Sequence, residues 1–126
     1  LDGAEQPITI PRSGDPLAIR FLLSADQPVL DPELTVSVFD QSGTLISEIG
    51  TRSRNARIDQ VHGERTVTLE LDHLTLTEGT YELSAEVRDE SGQREFDVRN
   101  RFVKFDVLKG TDGDRGLVTL GGSWNV

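Results

Sequence analysis

The stretch LTEGTYELSAEVR, residues 76–88, decides the class of fold. From Tyr81 onward its side chains alternate between apolar and polar. This alternation is typical of a half-buried β-strand, because successive side chains of a strand point to opposite faces of the sheet. Its first six residues have the form Leu-x-x-Gly-x-Tyr of a tyrosine corner, a feature of immunoglobulin-like sandwiches. The alternative is an ordinary core Tyr after a glycine turn, and under both interpretations Tyr81 is structural.

The same two-residue period recurs along the chain, and no window of similar length has the spacing of an amphipathic helix, so we expect essentially no helix. Two D-x-S-G turns, at residues 40–43 and 89–92, predict hairpin tips. Many short strands with frequent turns predict an all-β fold, an immunoglobulin-like two-sheet β-sandwich. Strands are expected near residues 6–11, 16–26, 33–40, 43–50, 63–72, 79–89, 98–109 and 115–121.

The length of 126 residues is that of one domain, and we expect residues 1–126 to form a single β-sandwich. The chain has no Cys, which excludes disulfides, thiol nucleophiles and Cys-bound zinc. It has no Met and therefore no initiator residue, so we interpret it as a fragment of a longer protein. The chain itself shows no targeting signal, and one could lie in the missing part.

The charge is strongly acidic, with 22 Asp and Glu against 13 Lys and Arg and a net charge of -9. Nucleic acids require a basic footprint, so we expect no nucleic-acid partner. An anionic membrane surface is disfavoured for the same reason. No apolar run approaches the ~20 residues that span a bilayer, so we expect no direct membrane insertion.

No residue pattern in the sequence makes a candidate catalytic or metal site. His62 and His73 are the only histidines, and nothing around them resembles a nucleophile elbow. Asp112-Gly113-Asp114 looks like the start of a calcium loop, but the bidentate Glu that would complete it is absent. We therefore expect no catalytic residue, no metal and no cofactor, and predict that the chain is not an enzyme.

Two features indicate binding instead. Arg52, Arg54 and Arg57 follow Gly50 in a segment without strand alternation, and three guanidinium groups there suit a carboxylate or phosphate. The alternative for these arginines is a solvated loop in an acidic protein. The second feature is the outward face of one predicted sheet, where the strands at residues 33–40, 79–89 and 98–109 lie side by side.

Strand parity gives this outward face small hydroxyl groups, charged groups and two aromatic rings. Rings stack on the C–H faces of sugars, while charged groups bond to sugar hydroxyls, so the face suits a carbohydrate. The alternative is that a loop, a chain terminus or a second subunit covers the two rings. The candidate carbohydrate-binding residues are Ser37, Phe39, Ser84, Glu86, Arg88, Phe102, Lys104 and Asp106.

Several short motifs occur in an order that resembles a known family. They are Gly14-Asp15-Pro16-Leu17-Ala18-Ile19, Asp40-x-x-Gly43, Leu76-x-x-Gly79-x-Tyr81, Phe105-Asp106-Val107, Gly116-Leu117-Val118 and Trp124. Together, over roughly residues 8 to 124, they resemble the C-terminal carbohydrate-binding domain (Wzt type) of the ATP-binding subunit of bacterial O-antigen ABC transporters.

The resemblance implies a cytoplasmic domain at the inner face of the inner membrane. It would recognise the modified non-reducing end of a lipid-linked O-antigen polysaccharide before export. The ATPase domain, which would contact the transmembrane permease subunit, belongs to the missing part, since this chain has no Walker motif. Family members form homodimers in which the C-terminal strand pairs with the partner, and here that strand would be Gly116 to Leu120.

Two other functions remain open from the residues alone. One is a structural or adhesive immunoglobulin-like module of a cell-surface protein, in which the acidic charge keeps a tandem array in solution. The other is an accessory sugar-binding module of an extracellular glycosidase. A Walker A motif upstream in the full-length gene would distinguish the exporter domain from both.

Overall fold

Two antiparallel sheets form the protein in a computed structural model, which describes residues 10–89, 91, 95–111 and 113–125. The strands in chain order are β1 (Leu17–Leu30), β2 (Glu33–Asp40), β3 (Leu45–Gly50), β4 (Gln60–Leu71), β5 (Gly79–Arg88) and β6 (Glu95–Val107). The described residues contain one short 3-10 turn, Arg52–Arg54, and no α-helix. The expectation of an all-β chain is confirmed.

The larger sheet has the order β3-β2-β5-β6, and the smaller sheet pairs β1 with β4. Both are antiparallel throughout. The apolar side chains of β2, β5 and β6 point toward β1 and β4, so the core lies between the sheets. This confirms the predicted two-sheet sandwich, and it confirms that the strands at residues 33–40, 79–89 and 98–109 are neighbours.

Tyr81 forms the predicted tyrosine corner. The residue is 3% exposed, and its hydroxyl donates a 2.7 Å hydrogen bond to the carbonyl oxygen of Thr77. The ring packs beside Phe105, with 5.8 Å between the ring centroids. The corner therefore attaches the loop between β4 and β5 to the core at the start of β5.

The first predicted hairpin tip is also present, and Asp40 organises it. The Asp40 carboxylate accepts hydrogen bonds from the backbone N–H of Ser42 at 3.0 Å and of Thr44 at 2.8 Å. Gly43 follows in the left-handed region with φ of 91°, which favours glycine. The second predicted tip, residues 89–92, lies partly outside the described residues, which omit 90 and 92.

The strands expected at the two ends of the chain differ from the structure. Of residues 6–11, only 10 and 11 are described, and they are not in a strand; Arg12 instead forms an isolated parallel bridge to Leu108. Residues 115–121 form no strand either. Among the described residues, their only β-bridge joins Val118 to Leu76. A segment that meets a neighbour at one position cannot build a ladder, although its sequence alternates.

Candidate functional site

The outward side of the larger sheet, here called the outer face, brings together most of the predicted binding residues. Cross-strand pairing puts Ser37 opposite Ser84, and Glu82 of β5 opposite Lys104 of β6. The alternate residues of these strands are the buried ones, so parity assigns the polar residues to the outer face. The predicted residues at outward positions are Ser37, Phe39, Ser84, Glu86, Arg88, Lys104 and Asp106.

Phe102 departs from this arrangement because β6 contains a bulge. Leu83 pairs with Val103 and Ala85 pairs with Arg99, so three residues of β6 lie opposite Ser84 alone. Within the bulge Arg101 has a φ of 45°, which interrupts the alternation of sides. The ring of Phe102 is half-buried and packs against the core, so it is not a free ring of the outer face.

Hydrogen bonds fix many side chains of the outer face in position. Ser37 donates to Glu48 of β3 at 3.1 Å, and Thr80 donates to Asp106 at 2.7 Å. Arg88 donates to both carboxylate oxygens of Glu86, at 3.1 and 3.2 Å, and to Glu95 at 3.4 Å. The hydrogen bond with Glu86 raises the pKa of the Arg88 guanidinium above its ordinary value.

Phe39 has a partner that the sequence did not indicate. The guanidinium carbon of Arg101 lies 4.9 Å from the centroid of the Phe39 ring, which is a cation–π distance. The same guanidinium donates from Nη2 to the carbonyl oxygen of Gly43 at 3.3 Å, and the backbone N–H of Arg101 donates to Ser84 at 2.7 Å. The ring is therefore covered by a side chain of its own sheet.

Sequence reasoning missed Arg101 because strand parity assigned it to the inner side, with Val103, Phe105 and Val107. The signal was present: a charged residue stood at an inward position of a predicted strand. Such a conflict between residue type and parity is typical of a bulge.

The arginine segment after β3 lies at one end of the sandwich, where its side chains contact neighbouring loops. Arg52 donates to the carbonyl oxygens of Asp31 at 3.0 Å and Asp89 at 3.4 Å. Arg57 forms ion pairs with Asp31 at 3.1 Å and with Asp59 at 3.7 Å. These contacts join three loops, so Arg52 and Arg57 have structural partners of their own.

The residues considered for catalysis and metal binding do not assemble into a site. His62 and His73 are both exposed, and His73 Nδ1 lies 3.4 Å from the carbonyl oxygen of Gly14. Asp112 of the calcium-like motif lies outside the described residues. Within the described ranges, no three His, Asp or Glu side chains are grouped as metal ligands.

An apolar cleft of about 610 Å³ opens between β4 and the β2–β3 side of the larger sheet. Its walls include Val36 and Ile49 from the larger sheet and Val67 and Leu69 from β4. Elsewhere on the molecule, Leu120 and Trp124 near the C-terminus are 94% and 95% exposed. The protein therefore has both an open apolar cleft and exposed apolar side chains.

A family model described as the Wzt C-terminal domain matches residues 1–120. The chain therefore belongs to the Wzt C-terminal domain family. Its structure is similar to that reported as "Crystal structure of the C-terminal domain of wzt", with a TM-score of 0.81 and 14% sequence identity. That similarity covers 93% of this chain and 73% of the other, and it concerns the fold. No curated protein matches this chain.

Membership in this family confirms the resemblance seen in the sequence motifs. The family description identifies the matched region as a C-terminal domain of Wzt proteins. The described part of the chain has no helix long and apolar enough to span a bilayer.

Proposed function

We propose that this chain is a non-catalytic carbohydrate-binding domain. It recognises the modified non-reducing end of an O-antigen polysaccharide and so selects finished chains for export by an ABC transporter. The observation that carries the proposal is the outer face, where hydroxyl, carboxylate and cationic groups surround Phe39 on three paired strands. Family membership favours this function over a structural or adhesive module.

Several polar side chains of the outer face are held in place by hydrogen bonds and still have donor or acceptor positions free for a sugar. The hydroxyl of Ser84 accepts from the Arg101 N–H and keeps its own proton for a ligand. Glu86 and Asp106 each retain acceptor capacity, since a carboxylate offers about four lone-pair sites. Because Arg88 and Thr80 hold these carboxylates, little side-chain entropy is lost when a sugar binds.

The remaining partners follow from this role. The lipid-linked polysaccharide is presented in the cytoplasm, at the inner face of the inner membrane. The domain would be joined to an ATPase domain outside this sequence, and through it to the transmembrane permease subunit. Residues 1–126 then form the recognition module of a longer protein, and the chemical work of export is done by the ATPase.

The domain acts as a homodimer in this proposal, and the apolar cleft supports it. Neighbouring strands lie about 4.8 Å apart, so two strands in β1–β4 are too narrow to cover four strands in the larger sheet. The uncovered part is the cleft beside β4. Released from its bridge to Leu76 of its own protomer, a partner's C-terminal segment, residues 116–120, would extend the smaller sheet and cover Ile49.

The function is tested by titrating the protein with the O-polysaccharide of the organism that carries the gene. We expect the complete polysaccharide to bind and a preparation without its terminal modification to bind at least about tenfold more weakly, a loss of ~1.4 kcal/mol. Arg88→Ala should weaken binding, because it frees Glu86 and Glu95. Arg65→Ala, a change in β4 away from the outer face, is the control. Equal binding of both polysaccharides would exclude end recognition.

A further inference from the structure

Arg101 is distinguished from its neighbours on the outer face by the partners it has. Its hydrogen bonds go to a backbone carbonyl and to Ser84, and its guanidinium lies over Phe39. The ion pairs among the described residues do not include it. Its positive charge is therefore not neutralised by a carboxylate among the described residues.

The other charged groups around Arg101 have a hydrogen-bond donor or an opposite charge as a neighbour. Glu48 accepts from Ser37, Glu86 is paired with Arg88, and Asp106 accepts from Thr80. Glu82 and Lys104 lie directly opposite each other on β5 and β6, where opposite charges offset one another. In a chain of net charge -9, an arginine on this face without an acidic partner in the described part of the chain is unusual.

The surroundings of Arg101 also hold its guanidinium in one orientation. The guanidinium lies over the Phe39 ring, and the carbonyl oxygen of Gly43 accepts from Nη2 at 3.3 Å. A Cβ atom at position 43 would lie 2.8 Å from Nη2, so the guanidinium would have to shift if residue 43 carried a side chain. A guanidinium carries five N–H donors in a rigid fork, and most of them have no acceptor among the described residues.

We propose that Arg101 binds an anionic group, a carboxylate or a phosphate, on the polysaccharide that the outer face recognises. This inference rests on the proposed function and adds the chemical class of the ligand. A planar guanidinium matches the paired oxygens of both groups, and its bonds to them are charge-assisted. Preorganisation on Phe39 reduces the entropy that Arg101 loses on binding.

The test is an NMR titration of the whole chain with three probes: glucose, glucuronic acid and glucose 1-phosphate. We expect both acidic probes to shift the Arg101 Nε–H and Gly43 N–H signals, with affinities at least about tenfold above that of glucose. The ratio between the two acidic probes then distinguishes a carboxylate from a phosphate. Arg101→Gln should abolish the preference for acidic probes, and Arg101→Lys should retain part of it.

Arg65→Gln is the matched control, since it removes the same charge from β4 and should leave the titration unchanged. Two results would overturn the role of Arg101 while the proposed function stands. One is equal affinity of the protein for glucose and for the acidic probes. The other is that Arg101→Gln binds the polysaccharide as tightly as wild type. If neither wild type nor Arg101→Gln binds any O-polysaccharide, the proposed function fails, and this inference fails with it.

Discussion

Tyr81 shows how one side chain connects local sequence to tertiary structure. Its ring is buried beside Phe105, and its hydroxyl donates to the Thr77 carbonyl oxygen, which accepts no other hydrogen bond in the described part of the chain outside the strands. Thr77 itself is a buried polar residue and donates to the carbonyl oxygen of Gly116. The corner therefore links the start of β5 to the C-terminal segment.

Tyr81→Phe is expected to lower the free energy of unfolding by about 1–3 kcal/mol, because it leaves a buried carbonyl unsatisfied while keeping the ring. Tyr81→Leu should cost more, since it also removes the contact with Phe105. Urea unfolding followed by circular dichroism measures both. A Tyr81→Phe protein as stable as wild type would mean that the hydroxyl has no structural role.

Among the elements, the tip of the β2–β3 hairpin depends on local contacts, whereas the β6 bulge depends on contacts between residues far apart in the sequence. The hairpin tip is local, because Asp40 bonds to residues two and four positions ahead. The bulge depends on pairing between distant segments, since Ser84 and Arg101 meet only when β5 and β6 are side by side. The two elements then meet where Arg101 contacts Gly43.

The hairpin tip predicts a pH dependence of stability. Hydrogen bonds from Ser42 and Thr44 lower the pKa of the Asp40 carboxyl below the ordinary value of an aspartate. A lowered pKa in the folded state gives stability that is present above the unfolded-state value and lost as the pH falls through the folded-state value. Asp40→Asn should therefore be less stable than wild type near neutral pH, and the difference should shrink below about pH 4.

Urea unfolding at several pH values measures this difference. Asp26→Asn removes an exposed carboxylate of β1, away from this turn, and is the control. A difference between Asp40→Asn and wild type that is constant across the acid range would contradict the assigned hydrogen bonds.

At the scale of the whole molecule, the two sheets are unequal, and the inequality creates the cleft. Four strands face two, so apolar residues of β2 and β3 remain partly exposed beside the free edge of β4. Large apolar surfaces of this kind are typical of interaction sites. The exposed Leu120 and Trp124 make a partner's C-terminal segment a suitable occupant.

Ile49→Ser should therefore weaken dimerisation. Burying an apolar side chain contributes about 1.5–3 kcal/mol, and a two-fold dimer makes each contact twice, so the dimer dissociation constant should rise by roughly 100-fold or more. Leu45→Ser changes the same strand on the outer face and should leave dimerisation unchanged. Analytical ultracentrifugation measures both, and deletion of residues 116–126 should also give a monomer. Equal association of Ile49→Ser and wild type would exclude the cleft as the interface.

Much of the candidate site was predictable from the sequence, for a specific reason. The two-residue period is local, so it assigned Ser37, Ser84, Glu86 and Lys104 to one side of their strands before any pairing was known. It failed at Phe102 and Arg101, because a bulge changes the side on which residues lie, and the bulge arises from register with β5.

The sequence by itself therefore determined the class of fold, the tyrosine corner at residues 76–81 and the polar character of the outer face. Each depends on neighbouring residues of one strand or turn, where spacing and chemistry decide the conformation. Only the tertiary structure decided how the strands beside the cleft are divided between the two sheets. It also decided that Arg101 lies over Phe39. Those outcomes depend on register and sheet width, which arise from contacts between residues far apart in the chain.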